Sequence, residues 1–293
     1  MTLPSTPVAV ANVPVPNSSG VQPPAIAVPA GAVDCHHHIF DPRFPKIGKP
    51  MRAIGRVEDY ALLKRRLGIT RSVVVAPNSY GTDNACLLDA LDRFGDEARG
   101  VTIVSADADV ATMKALDSRR VRGARFYLAK GTPPEPAALQ RFSHRAADLG
   151  WHIEIMPSRG DVLVAAETLL AGLACPVVID HLGYTPQPDG ISHEAYATMT
   201  RLLSKGGAWV KLSGVYFTSR QGFPDYADVD ELATSLARHR PDRMLWGTDW
   251  PHSGEATKPD DALLLDQTAR WIPDAGTRNA ILVDNPAALY WAH

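Results

Sequence analysis

From residue 31 onward the chain repeats one motif eight times: a short run rich in β-branched residues, then a longer amphipathic stretch. The runs cover 32–36, 72–77, 100–106, 123–127, 152–156, 176–181, 208–213 and 243–249. Helical periodicity lies between them, for example over 58–67, 84–94, 136–149, 162–172 and 194–204. Runs such as Val73-Val74-Val75 lack polar alternation, as strands covered on both faces do. Eight strand-then-helix units predict a (β/α)8 barrel of the TIM type, one domain over residues 31–293. An open doubly wound sheet is the alternative. It would usually carry a glycine-rich phosphate turn after its first strand, where this chain has Cys35 to His38.

Residues 1–30 stand apart. They hold seven of the 24 prolines and no charged side chain, which predicts an extended proline-rich arm. Such an arm is either a partly disordered tail or a strap laid across the domain or a partner subunit. It lacks the basic start and uninterrupted apolar stretch of a secretory signal. Thirty basic residues against 32 acidic ones leave a net charge of −2, no footprint for nucleic acid or an anionic membrane. No apolar run is long enough to span a bilayer. The cysteines (Cys35, Cys86 and Cys175) are odd in number and widely spaced, which suits a reducing cytoplasm. Oligomeric state is not legible at this level.

Catalytic groups of such barrels sit at the carboxyl ends of the strands. Strand one ends in Asp34-Cys35-His36-His37-His38. Period-two alternation puts Asp34, His36 and His38 on one face and packs His37 behind the strand. Strand six ends in Asp180-His181, and strand eight in Gly247-Thr248-Asp249-Trp250-Pro251-His252. Each motif sets ionisable groups after an apolar run, where burial is costly without partners.

The strings DCHHHIF, SYGTDNA, GARF, IDHLG, GTDWPH and DNPAALYW together resemble the amidohydrolase superfamily. The resemblance covers essentially residues 31–293 and points to the branch of the 2-pyrone-4,6-dicarboxylate lactonases. It implies His36, His38, His181 and Asp249 as the catalytic set. Metal-dependent members generally add a ligand from strand four or five. Here strand five ends in Ile155-Met156-Pro157-Ser158, with His152 at the wrong end and Glu154 short of the mouth. The expectation is therefore no metal and no cofactor.

Arg125, at the end of strand four, is the natural anchor for a substrate carboxylate. Against the dicarboxylate lactonases, this chain has Gly131, Met156 and Phe217 where that branch carries Arg, Tyr and Arg. What remains is a neutral polar set: Asn78, Ser79, Tyr80, Thr82, Tyr127 and Ser213, with His252 beside it. Thr82 or Asp83 would serve equally to cap the following helix. One anchor among neutral groups suits a hydroxylated lactone with one carboxylate. In this the chain resembles the D-galactarolactone isomerases of the same branch.

On this reading Asp249 is the base, and His36, His38 and His181 polarise the lactone carbonyl. With water as nucleophile the enzyme is a lactonase. With a substrate hydroxyl it is an isomerase, converting a δ- to a γ-lactone by intramolecular acyl transfer. Two readings from other classes stay open: a metal-dependent amidohydrolase or decarboxylase, which metal analysis separates, and a non-catalytic sugar-acid binder.

Overall fold

The computed structural model describes residues 9–47, 53–129 and 133–292. Eight strands follow in chain order: β1 (Val33–His37), β2 (Arg71–Val75), β3 (Ala98–Thr102), β4 (Val121–Leu128), β5 (His152–Pro157), β6 (Val177–Ile179), β7 (Ala208–Leu212) and β8 (Met244–Trp246). Each pairs in parallel with the next, so the sheet order is the sequence order. Helices α1 (Val57–Leu67), α2 (Ala85–Phe94), α3 (Val110–Asp117), α4 (Pro136–Asp148), α5 (Gly160–Ala171), α6 (Glu194–Ser204), α7 (Asp230–His239) and α8 (Asp261–Trp271) alternate with them. Two short helices, α9 (Ala275–Asn279) and α10 (Asn285–Tyr290), complete the chain. The (β/α)8 barrel is the architecture that the sequence predicts.

The seam closes beyond the end of β8. The Asp249 N–H donates to the His36 carbonyl at 2.7 Å, and the His38 N–H to the Trp250 carbonyl at 2.8 Å. Gly247 makes this approach possible, since a Cβ there would lie 2.7 Å from His36 Cβ and 2.8 Å from its backbone nitrogen.

The strands differ from their sequence-based bounds by one to four residues at an end, and three of these differences bear on the site. β3 stops at Thr102 rather than 106, because Asn84 of the β2–α2 loop claims the Ile103 carbonyl through Nδ2 at 3.1 Å. β6 and β8 stop before His181 and Asp249, whose positive φ values of 49° and 61° turn the chain out of the ladder. Both residues therefore stand on turns just past the strands, in a conformation that non-glycine residues seldom adopt.

β1 is irregular between Asp34 and His37, and this corrects the alternation expected there. Cys35 packs in an apolar cluster with Val73, Val101, Val178 and Leu245, and His36 beside it meets the Lys211 amine. Asp34 does not join the histidines. Its carboxylate receives the Tyr60 hydroxyl at 2.8 Å, the Thr248 N–H at 3.0 Å and the Thr248 hydroxyl at 2.6 Å. Burial pushes the Asp34 carboxyl up to about 6, against those donors. His37 stacks on Tyr60 of α1, ring centroids 3.5 Å apart.

The described part of the arm, residues 9–30, is tied to the barrel. Buried Arg66 of α1 donates to the Ser18 hydroxyl (2.5 Å) and to the carbonyls of Ser19 (3.2 Å) and Gly20 (2.7 Å). Asp266 of α8 accepts the backbone N–H groups of Ala25 and Ile26, both at 3.0 Å. The Trp250 indole donates to the Pro16 carbonyl at 2.8 Å. The three cysteines are free and buried. Among the described residues no helix is long and apolar enough to cross a membrane.

Candidate active site

Four groups from three parts of the chain converge at the carboxyl end of the barrel. His36 Nε2 lies 3.3 Å from His38 Nε2. Asp249 Oδ1 lies 3.5 Å from His36 Nε2, 3.4 Å from His38 Nε2 and 3.9 Å from His181 Nε2. The outer nitrogens set the rings. His38 Nδ1 sits 2.7 Å from the Val75 carbonyl, which can only accept, so Nδ1 carries a proton and donates. In the neutral ring, His38 Nε2 then offers its lone pair to the centre. His181 Nδ1 meets the Ser213 hydroxyl at 2.9 Å. Ser213 thus orients His181 in this structure instead of lining the cavity.

Below these rings lies a charged layer inside the barrel. Lys211 Nζ is 3.0 Å from His36 Nδ1, bonds to Glu154, and is 3.4 Å from Asp180. Arg125 Nε approaches Asp180 Oδ2 at 3.1 Å and Glu154 Oε1 at 3.6 Å. Burial and the neighbouring Asp180 push the Glu154 carboxyl up to about 7. Burial acts the same way on Asp180, but Lys211 and Arg125 overcome it and hold that carboxyl well below its usual range. Burial also pushes His36 well below its ordinary value, and His181 down to about 4, so both are neutral at pH 7. Asp249 is held low despite its burial, by His181, His38 and His36.

The reaction cavity has a volume of about 510 Å³. His38, His181, Asp249, Arg125, Asn78, Ser79 and Tyr127 all line it, with Met156 and Phe217 among the apolar contributors. Among the described residues, Arg125 Nη2 bonds only to the Met156 thioether, at 2.9 Å, a weak acceptor that leaves the guanidinium edge to a ligand. Four members of the expected binding set lie elsewhere. Ser213 is the first, held behind His181. Tyr80 is buried and bonded to the Asp41 backbone, accepting its N–H at 2.8 Å and donating to its carbonyl at 3.0 Å. Thr82 lines another surface, and Asp83 caps α2 through the Ala85 N–H at 2.9 Å. His252, fully buried, meets the Tyr216 hydroxyl at 3.0 Å and Asp261 at 3.1 Å, behind Asp249. It does not line the cavity. Gly131 lies outside the described residues.

Lys211 and Tyr216 are site residues that sequence reasoning passed over, and Glu154 one that it set aside as short of the mouth. Lys211 had a legible signal, a lone cation inside the buried run Ala208–Leu212. Tyr216 had none, because its partner is 33 positions away.

The donor set also fits a divalent cation. A tetrahedral ion with bonds near 2.05 Å places its ligands about 3.3 Å apart. His36, His38 and Asp249 stand 3.3–3.5 Å apart, with His181 slightly beyond. His36, His38 and Asp249 form this set without the strand-five ligand whose absence underlay the metal-free expectation.

A (β/α)8 barrel whose mouth gathers His36 and His38 at the end of β1, His181 after β6 and Asp249 after β8 has the arrangement of an amidohydrolase-type barrel. The chain belongs to the amidohydrolase family, whose model matches residues 33–291. It is 36% identical to a 4-sulfomuconolactone hydrolase of Rhizobium radiobacter, covering 92% of each chain. It is 35% identical to a 2-pyrone-4,6-dicarboxylate hydrolase of Comamonas testosteroni, again over 92% of each. To a D-galactarolactone isomerase of Agrobacterium fabrum it is 32% identical, over 91% of this chain and 93% of that one. An apo crystal structure from Agrobacterium tumefaciens superposes with a TM-score of 0.85 at 32% identity, covering 94% of this chain and 99% of that one.

Proposed function

We propose that this chain is a lactone-processing enzyme acting on a sugar-acid lactone with one carboxylate, and that it isomerises a δ- to a γ-lactone in the manner of D-galactarolactone isomerase. One observation carries the reading. Asp249 Oδ1 faces three imidazoles across a cavity lined by one guanidinium and the neutral polar groups of Asn78, Ser79 and Tyr127.

Arg125 Nη2 holds the substrate carboxylate, and Asn78, Ser79 and Tyr127 receive its hydroxyls. The lactone carbonyl then lies over the imidazoles. Asp249 Oδ1 removes the proton from the attacking hydroxyl as the new C–O bond forms. An imidazole N–H stabilises the oxyanion. As the ring C–O bond breaks, Asp249 returns the proton to the departing oxygen. A divalent cation held by His36, His38, His181 and Asp249 would supply Lewis-acid polarisation of the same carbonyl. An internal hydroxyl near the carbonyl competes well with water because its effective molarity is high.

Hydrolysis is the second reading, favoured by relatives at 35–36% identity that are named hydrolases. Carbon NMR of the protein with freshly prepared galactaro-δ-lactone decides between the two. The proposal expects the γ-lactone to appear before the open acid. The open acid as first product makes the chain a hydrolase, and no turnover removes this substrate.

A further inference from the structure

Asp249 has two carboxylate oxygens, and only Oδ1 faces the imidazoles. Oδ2 receives the Tyr216 hydroxyl at 2.5 Å. Tyr216 stands just past β7, in the short turn Val215–Phe217. Its hydroxyl has one hydrogen. Once that is given to Asp249, the oxygen turns a lone pair toward His252 Nδ1, 3.0 Å away. His252 Nε2 in turn lies 3.1 Å from Asp261 Oδ1, at the first turn of α8. His252 and Asp261 are fully buried, and none of the three lines the reaction cavity.

We infer that Tyr216, braced by His252 and Asp261, is the positioning residue that turns Asp249 so that Oδ1 alone meets the reacting hydroxyl. Three features support a positioning role over simple packing. The backbone of Asp249 is in the left-handed region, at φ 61°, so its side chain leaves an uncommon starting direction. A carboxylate on a turn past the end of β8 is free to rotate unless one oxygen is held. The chain of contacts runs from the β7 turn through the β8 turn to α8, so three elements fix one torsion. An aspartate rotated by a quarter turn about χ2 would still sit in the site, yet neither oxygen would then aim at the imidazoles or at Tyr216. Misplacement of a reacting group by a fraction of an ångström is costly in rate and cheap in binding.

The inference rests on the reading of Asp249 as the base, so the test carries both residues. The variants are Tyr216→Phe, His252→Gln, His252→Leu, Asp249→Asn and the Tyr216→Phe/Asp249→Asn double, assayed by NMR on galactaro-δ-lactone and on 2-pyrone-4,6-dicarboxylate, with melting curves for each. Tyr216→Phe is expected to lower kcat roughly 10- to 150-fold, the range for a lost hydrogen bond to a charged group, and to leave KM within about threefold. His252→Gln keeps a donor toward Tyr216 and should lose less than His252→Leu. The double variant should be no slower than Asp249→Asn alone. A wild-type-like kcat in Tyr216→Phe, or a loss seen only in KM, overturns the positioning role. Retained activity in Asp249→Asn overturns the base assignment instead. A readout free of any substrate is the exchange-protected phenolic proton in the proton NMR spectrum. It should be shifted downfield, and vanish in Tyr216→Phe and move upfield in Asp249→Asn. Its absence from the native spectrum also overturns the inference.

Discussion

Arg125 has two duties. Its Nε is committed to Asp180 at 3.1 Å, while Nη2 reaches the cavity beside Met156. Arg125→Met therefore costs stability, by leaving Asp180 and Glu154 with one cation fewer, and costs substrate capture separately. We predict a fall in kcat/KM of roughly 10- to 150-fold on a carboxylated lactone and a much smaller fall on a neutral one. Equal losses on both would assign Arg125 to the floor of the site alone. His152 shows how a buried imidazole writes itself into pH dependence. Its ring is buried, and burial, with Lys211 nearby, pushes it down to about 3 from an ordinary 6.5. Between those values the unfolded chain binds the proton and the folded chain does not. The stabilising contribution is thus complete above pH 6.5 and shrinks on acidification, at up to about 1.4 kcal/mol per pH unit. Asp34 and Glu154, raised to about 6 and 7, act in the opposite direction, so the test is a difference. Relative to His152→Asn, the native chain should lose urea stability between pH 7 and pH 5. A constant gap would mean that His152 titrates alike in both states.

At the scale of elements, the strand ends matter more than the strands. β6 and β8 are only three residues long, and His181 and Asp249, the proposed catalytic groups, sit on the turns beyond them. The seam between β8 and β1 is held by backbone hydrogen bonds that pass directly beside His36 and Asp249. Gly247 is the contact point. Its substitution by alanine sets a methyl 2.7–2.8 Å from His36 Cβ and nitrogen, where backbone has to move. We predict that Gly247→Ala lowers stability by about 1–3 kcal/mol. It should also lower kcat more than the stability loss explains, because the displaced strand carries His36. A variant with native activity and melting temperature would show that the seam yields freely.

Over the whole molecule, the arm is part of the domain's hydrogen bonding. Arg66 is buried, and three of its acceptors are Ser18, Ser19 and Gly20, with Asp260 as a fourth at 3.2 Å. Gly20 holds a φ of 72°, and a Cβ there would lie 1.9 Å from the Asp260 carboxylate, so the arm passes tightly against the β8–α8 connection. Deleting residues 1–30 leaves a guanidinium in the interior with most of its acceptors gone. We expect a loss on the order of 3 kcal/mol in urea unfolding, and a smaller loss when Arg66→Met is made in the truncated chain than in the full one. Additive losses would show that the arm and Arg66 act independently.

Local pattern carried much of this. Strand count and order, the amphipathic helices and the three polar motifs at strand ends are short-range features, set by residues a few positions apart. They lead from the sequence alone to a (β/α)8 barrel with His36, His38, His181 and Asp249 at its mouth. Period-two reasoning failed only where β1 is irregular, which sent Asp34 to Tyr60 and Thr248 and brought His36 inward beside Cys35. What tertiary structure alone decided is the set of partners each group keeps. Lys211 meets His36 across 175 positions of sequence, Glu154 meets Lys211 across 57, and Tyr216 meets Asp249 across 33. Those contacts exist because barrel closure turns side chains of distant strands into one shared interior, and no periodicity along the chain encodes which of them then face each other.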